Sequence, residues 1–126
     1  MKNVVISIVL FLSLLIFMVY SNKQLHNFCS AVSDSCEELE ALLKDDEWDR
    51  SYDEACSLLD IVKSEAPMIS VFMNHADIDT VSHEVYKLTQ YVKQLDKSES
   101  LASVHILKHH IDNIVSLQRL SIENIF

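Results

Sequence analysis

From Val4 to Tyr20 the chain carries no charged residue, and only Ser7 and Ser13 interrupt the apolar run. A stretch that is apolar all round cannot sit as one face of a soluble element; it needs apolar surroundings on every side. At about 17 residues it lies at the short end of what crosses a ~30 Å hydrocarbon core as a helix. Tyr20 suits the membrane interface, and Ser21, Asn22 and Lys23 suit the headgroups beyond it. Two readings compete for residues 1–21. One is an uncleaved transmembrane signal-anchor; the other is a signal peptide removed after Val19-Tyr20-Ser21, which would release a secreted body. The run is longer than an ordinary signal core, and the bulky Tyr20 spoils the small-residue cleavage pattern, so the anchor is favoured. No Leu-x-x-Cys lipobox precedes Cys29. Lys2 and the amino terminus lie on the short side, and Lys23 alone follows closely on the other. That balance predicts a single-pass protein of the cell membrane with its N-terminus cytoplasmic and its body extracytoplasmic.

The remaining residues, 22–126, suffice for one small domain with its own core. The chain has no glycine and one proline. Hairpin turns depend on positive φ, for which glycine is the usual residue, so a β-rich body is excluded and the fold class is all-α. The formal net charge of −9 opposes binding to phosphate backbones, which argues against nucleic acid, and it offers no polybasic grip on a lipid surface. Solubility accounts for the acidity; a cationic partner or loosely held divalent ions are the alternative.

Apolar residues recur at Leu25, Phe28, Cys29, Val32, Cys36, Leu39 and Leu43, in steps of three and four that mark one helix face. No breaker separates this face from the apolar run, so one helix is expected to continue straight out of the bilayer. Lys44-Asp45-Asp46-Glu47 reads as a turn. A second helix carries Trp48, Tyr52, Ala55, Leu59, Val62 and Ala66, and Pro67 is expected to bend it while it continues through Ile69, Phe72 and Met73. A turn at Met73–Asp77 follows, with Asp77 as cap of a third helix whose seam runs Ile78, Val81, Val85, Leu88, Val92, Leu95. Lys97–Ser100 reads as the last turn, and a fourth helix carries Leu101, Val104, Leu107, Ile111, Ile114, Leu117 and Leu120. Short loops force neighbouring helices to be antiparallel, so the expected body is an up-down four-helix bundle. No internal repeat or low-complexity segment is visible.

Few residues suggest chemistry. Cys36 and Cys56 stand equally far from the first turn, so they could face each other and form a disulfide suited to an oxidising compartment; use as small core residues is the simpler reading. Cys29 is too far along the helix from Cys36 to bridge it. His75, Asp79 and His83 form the densest set of metal-ligand types, since Asp79 and His83 share a helix face and His75 could reach back from the turn. The simpler reading makes His75 a turn residue, Asp77 a cap and His83 solvated, with no metal and no cofactor. No nucleophile–base pair, phosphate-binding glycine loop or zincin motif occurs, so an enzyme is not expected.

Several features together resemble family 4363 of the domains of unknown function: the short N-terminal span, the helix led by Trp48, Glu65-Ala66-Pro67, the turn His75-x-Asp77-Ile78-Asp79 and the terminal Asn124-Ile125-Phe126. Where many members have Glu before the Ile of that turn, this chain has Asp77. The resemblance implies a small membrane-anchored helical protein of clostridia and related Firmicutes, with no activity attached. It also counts against the disulfide, because many anaerobes do without structural disulfides.

The expectation for function is an interaction module or accessory subunit docking with an integral-membrane partner, because a single span and a helical body with about three residues beyond the bilayer cannot work across it alone. Self-association is left open. The alternative is an extracytoplasmic bundle that holds a ligand or metal. Ile125-Phe126 would either plug the bundle or hook a partner.

Overall fold

In a computed structural model, which describes residues 1–125, the chain forms four helices: α1 (Lys2–Lys44), α2 (Trp48–Ile69), α3 (His75–Lys93) and α4 (Lys97–Ile125). No strand occurs among the described residues. Phe126 and the side chain of Ile125 lie outside the described residues, and with them the expectation of a plug or hook.

α1 is one continuous helix of 43 residues, about 64 Å long at the usual rise. Its first half buries nothing: Val4 to Tyr20 are exposed apart from partial cover at Leu15 and Met18. The hydroxyls within and beside the run are satisfied internally. Ser7, Ser13 and Ser21 donate to the carbonyls of Asn3, Val9 and Phe17 one turn back, which suits a helix in apolar surroundings. From Leu25 onward the predicted stripe is buried, and Val32, Cys36, Leu39 and Leu43 are fully enclosed. Leu58 and Val62 of α2, Val85 and Leu88 of α3, and Val104 and Leu107 of α4 complete the core. Each helix packs on two neighbours, α1 on α2 and α4, and α3 on α2 and α4, so the four close into a bundle.

Two tight turns lie at one end of the bundle and are built alike. After α1, the Asp46 N–H bonds to the Leu43 carbonyl and the Glu47 N–H to the Leu42 carbonyl. After α3, the Leu95 N–H bonds to Val92 and the Asp96 N–H to Tyr91. This is the Schellman arrangement, which places the residue after the cap in the left-handed region. Glycine normally sits there, and this chain has none; Asp46 (φ 58°) and Leu95 (φ 60°) take the position instead. Lys97 joins the two turns, donating to Asp46 Oδ1 at 3.0 Å and to the Lys44 carbonyl at 3.4 Å.

Three boundaries differ from the sequence expectation. α2 persists only two residues beyond Pro67, and Ser70, Val71 and Phe72 form a tightened exit with N–H bonds to Ala66, Met68 and Ile69. α3 starts earlier than expected, because Asn74 is its cap and accepts from the Ala76 N–H at 3.0 Å; Asp77 lies in the first turn, where a carboxylate favours the N-terminal dipole. α4 starts at Lys97, because Asp96 Oδ1 accepts from the Glu99 N–H at 3.1 Å. Residues 97–100 are thus its first turn.

The sequence shows no repeat to the eye, yet the helix pairs are two versions of one hairpin, related by a constant step from Asp46 to Leu95. The same step carries Lys44 to Lys93 at the helix ends and Trp48 to Lys97 at the helix starts. It also carries Val32 to Val81, Leu39 to Leu88 and Leu58 to Leu107 in the core. Ser51 and Ser100, both fully buried, correspond as well. Each hairpin has one Ser–Glu bond at equivalent positions, with the partners exchanged. Ser35 of α1 donates to Glu54 of α2 at 2.7 Å, and Ser103 of α4 donates to Glu84 of α3 at 2.9 Å.

Candidate functional site at the base of the bundle

The residues singled out in the sequence do not assemble. His75, Asp79 and His83 are all exposed. Among the described residues no three His, Cys, Asp or Glu side chains are grouped as a metal site needs. The three cysteines are free thiols. Cys29 and Cys36 are buried, and desolvation pushes their thiols up to about 11 and about 12. Both are therefore neutral and poor nucleophiles at neutral pH. Cys56 of α2 is half-buried beside Tyr52, whose hydroxyl it holds above its ordinary titration range.

The strongest polar cluster joins α1 to α4. Glu40 accepts from Lys108 of α4, from Lys44 at 3.0 Å and from His105 at 3.4 Å. Those bonds, Lys108 first, hold its carboxyl down to about 2, and Glu40 in turn raises Lys108. The charges are paired with one another on a solvated flank. The cluster is a clasp between helices and has no vacant acid or base to offer a substrate.

A concavity lies at the other end, where the exposed half of α1 enters the bundle. It is a groove of about 620 Å³, within the size range of small-molecule sites. One wall is the exit of the apolar run: Leu14, Phe17, Met18 and, one turn on, Ser21 and Asn22. The second is the α2–α3 connection from Val71 to Asn74, and the third is Ile114, Leu117 and Gln118 of α4. Two contacts hold the walls together. The Phe17 and Phe72 rings meet edge to face with centroids 5.6 Å apart, and Gln118 donates to Asn22 Oδ1 at 2.9 Å. A smaller pocket of about 190 Å³ adjoins on the side of Thr80, His110 and Asn113.

Asp77 is the sole ionisable side chain on the groove's lining among the described residues. The rest of the lining is uncharged and mostly apolar. Its existence was not evident from sequence, which placed Phe72, Met73, Leu117 and Leu120 on core seams. Among the described residues Ile114 is the last buried apolar residue of α4, and Leu117 and Leu120 are exposed. The one sequence signal was the run Val71-Phe72-Met73, three apolar residues in succession within a connection, which no helix seam explains.

A family model described as a domain of unknown function, DUF4363, matches residues 19–125. The match covers the bundle and stops short of most of the apolar run. No curated protein and no solved structure matches the chain.

Proposed function

The chain belongs to the DUF4363 family of domains of unknown function, and from that premise we propose that it is a single-pass membrane-anchored interaction module, an accessory subunit of a membrane complex. The observation that carries this reading is α1 itself. One helix holds both an apolar half that is exposed on every side and a half that forms a wall of the bundle core. It is the one described helix long and apolar enough to cross a membrane, although an N-terminal signal sequence meets the same description.

On this reading residues 1–21 anchor the protein with the N-terminus cytoplasmic, and residues 22–126 form an extracytoplasmic bundle. The cross-helix pairs support an antiparallel up-down order. Asn22 meets Gln118 while Glu40 meets Lys108, and Ser35 meets Glu54 on the opposite neighbour. The acidic, closed outer flanks leave recognition to the base of the bundle, where an integral-membrane partner would lie. Catalysis has no support from any described constellation.

Alkaline-carbonate extraction of membranes, followed by external protease and a mild-detergent pull-down, tests the reading. Retention in the pellet, digestion from outside and a stoichiometric multi-span partner are the expected results. A protein found entirely in the soluble fraction, starting at Asn22, would overturn the anchor and leave a secreted bundle. A membrane-retained protein that runs as a lone monomer would overturn the accessory role.

A further inference from the structure

We propose that the groove at the base of the bundle holds an acyl chain of a membrane lipid, and that the α2–α3 connection dips into the same leaflet to form its outer wall. This rests on the anchored reading of α1 and deepens it, by giving the protein a second membrane contact beside the spanning helix.

The argument begins with depth. Tyr20 marks the interface end of the apolar run, and Phe17 lies one turn further in, about 5 Å towards the hydrocarbon. Phe72 packs against Phe17 edge to face. Any bilayer that takes in the run up to Tyr20 therefore takes in the tip of the α2–α3 connection at the same level. The first part of that connection, Ser70 to Phe72, is suited to apolar surroundings. Val71 is 69% exposed and its neighbour Met68 is 37% exposed, while the N–H groups of Ser70, Val71 and Phe72 are bonded to carbonyls of the preceding turn and the Ser70 hydroxyl donates to the Pro67 carbonyl. Backbone satisfied in this way can enter a low-dielectric layer without the penalty of orphaned donors.

The distribution of exposed apolar residues points the same way. Outside the apolar run, Tyr52, Tyr86, Leu95 and Ile106 are scattered singly over the bundle. Met68 and Val71 lie together at the base, and Leu117 of α4 lines the groove beside them. Single exposed apolar residues need no explanation, but a contiguous patch that continues a lipid-facing helix does. The groove between these elements opens beside Leu14 and Met18 of the run, so a lipid tail alongside α1 can enter it without crossing water. Asn22, Asn74 and Gln118 supply uncharged donors on its lining that suit the ester region of a lipid, and Asp77 supplies its carboxylate. No basic side chain lines it, so the recognition is of the chain and glycerol region, with no demand for an anionic headgroup.

Tryptophan quenching by lipids brominated in mid-chain tests this in the full-length protein reconstituted in phosphatidylcholine–phosphatidylglycerol vesicles. Native Trp48, at the far end of the bundle, supplies the unquenched baseline. Tyr20→Trp reports on the anchor, Val71→Trp on the connection and Leu117→Trp on the groove's inner wall; Val71 and Leu117 are exposed, so the bundle core is untouched. The expected result is roughly two-fold quenching of the added emission at all three positions, as for side chains in the headgroup–acyl boundary, with Trp48 unaffected. Quenching at 20 but at neither 71 nor 117 overturns the proposal and leaves the anchor standing. Quenching at 20 and 71 without 117 overturns the acyl-chain site. Absence at all three overturns both this inference and the anchored reading. If 117 is shielded and Val71→Cys cross-links between two chains, a second copy fills the groove and the lipid proposal fails.

Discussion

Lys97 lies on the first turn of α4, yet its ammonium bonds to Asp46 in the turn after α1, at 3.0 Å. It thereby ties together the two positions at which the chain adopts left-handed backbone without glycine, directly at Asp46 and through its own turn at Leu95. An L-residue with a Cβ in that region costs about 1–2 kcal/mol, and part of this is recoverable by substitution.

Leu95→Gly should stabilise the protein. Leu95 is 61% exposed, so little burial is lost, and relief of the left-handed conformation outweighs the added chain entropy by about 0.5–1 kcal/mol. Asp46→Gly should gain less, since it also removes the acceptor for Lys97. Thermal unfolding in detergent checks the order, with Leu95→Gly raising Tm by a few degrees and Asp46→Gly by less. A lower Tm for Leu95→Gly would refute the account.

Removing a serine hydroxyl should have opposite effects at two positions one helical turn apart. Ser100 Oγ is buried without a hydrogen-bond partner, so Ser100→Ala discards a desolvated hydroxyl and should stabilise by about 1 kcal/mol. Ser103 donates to Oε1 of the buried Glu84, whose other oxygen pairs with Lys87 at 3.7 Å, so Ser103→Ala leaves one buried carboxylate oxygen without its donor and should destabilise by about 1–3 kcal/mol. Urea unfolding of both variants decides this, and equal signs would show that the hydroxyls have no such roles.

Acid should loosen the clasp at Glu40. Its folded carboxyl titrates at about 2, well below the ordinary value of 4.5. A depressed folded value means the contribution is complete above the ordinary carboxylate range and is lost as pH falls from there towards 2. Glu40→Gln should therefore unfold at lower urea than the parent at pH 7, and the gap should close between pH 5 and about 2. A gap that is independent of pH would assign the effect to packing.

The cysteines should separate by reactivity. Cys56, half-buried, should alkylate first in the native protein, while Cys29 and Cys36, buried with raised thiols, should react only on unfolding. Mass spectrometry after a brief maleimide pulse reads the order. Loss of alkylation at both Cys36 and Cys56 until a reductant is added would reveal the disulfide that the helix register suggested.

Much of this architecture was legible because its signals are periodic. The unbroken charge-free run and the three-and-four spacing from Leu25 to Leu43 specify α1 directly. Helix starts were less legible, because a cap is decided by one local hydrogen bond. Asn74 and Asp77 both have capping side chains, and the choice of Asn74 shows only in its bond to Ala76. The doubled hairpin is hard to see in sequence because its identities, such as Val32 with Val81 and Ser51 with Ser100, are scattered, and its other equivalences are of burial and turn shape. Ser35 and Glu84 occupy one position, as do Glu54 and Ser103, so the most informative pair reads as a mismatch in alignment. The groove depends on Phe17, Phe72 and Leu117 meeting across three elements, which no local pattern encodes.

The unbroken passage of α1 from its apolar half into the bundle has a mechanical consequence. With the apolar half anchored as proposed, the absence of a hinge at Tyr20–Lys23 keeps the bundle from swivelling on it, and the 43-residue helix acts as a lever arm. In a bilayer, a span accommodates changes in thickness by tilting. A tilt of about 10° would sweep the turns at Asp46 and Leu95, some 36 Å beyond Tyr20, sideways by about 6 Å. Local membrane strain would thus be converted into displacement of the protein's outermost surface.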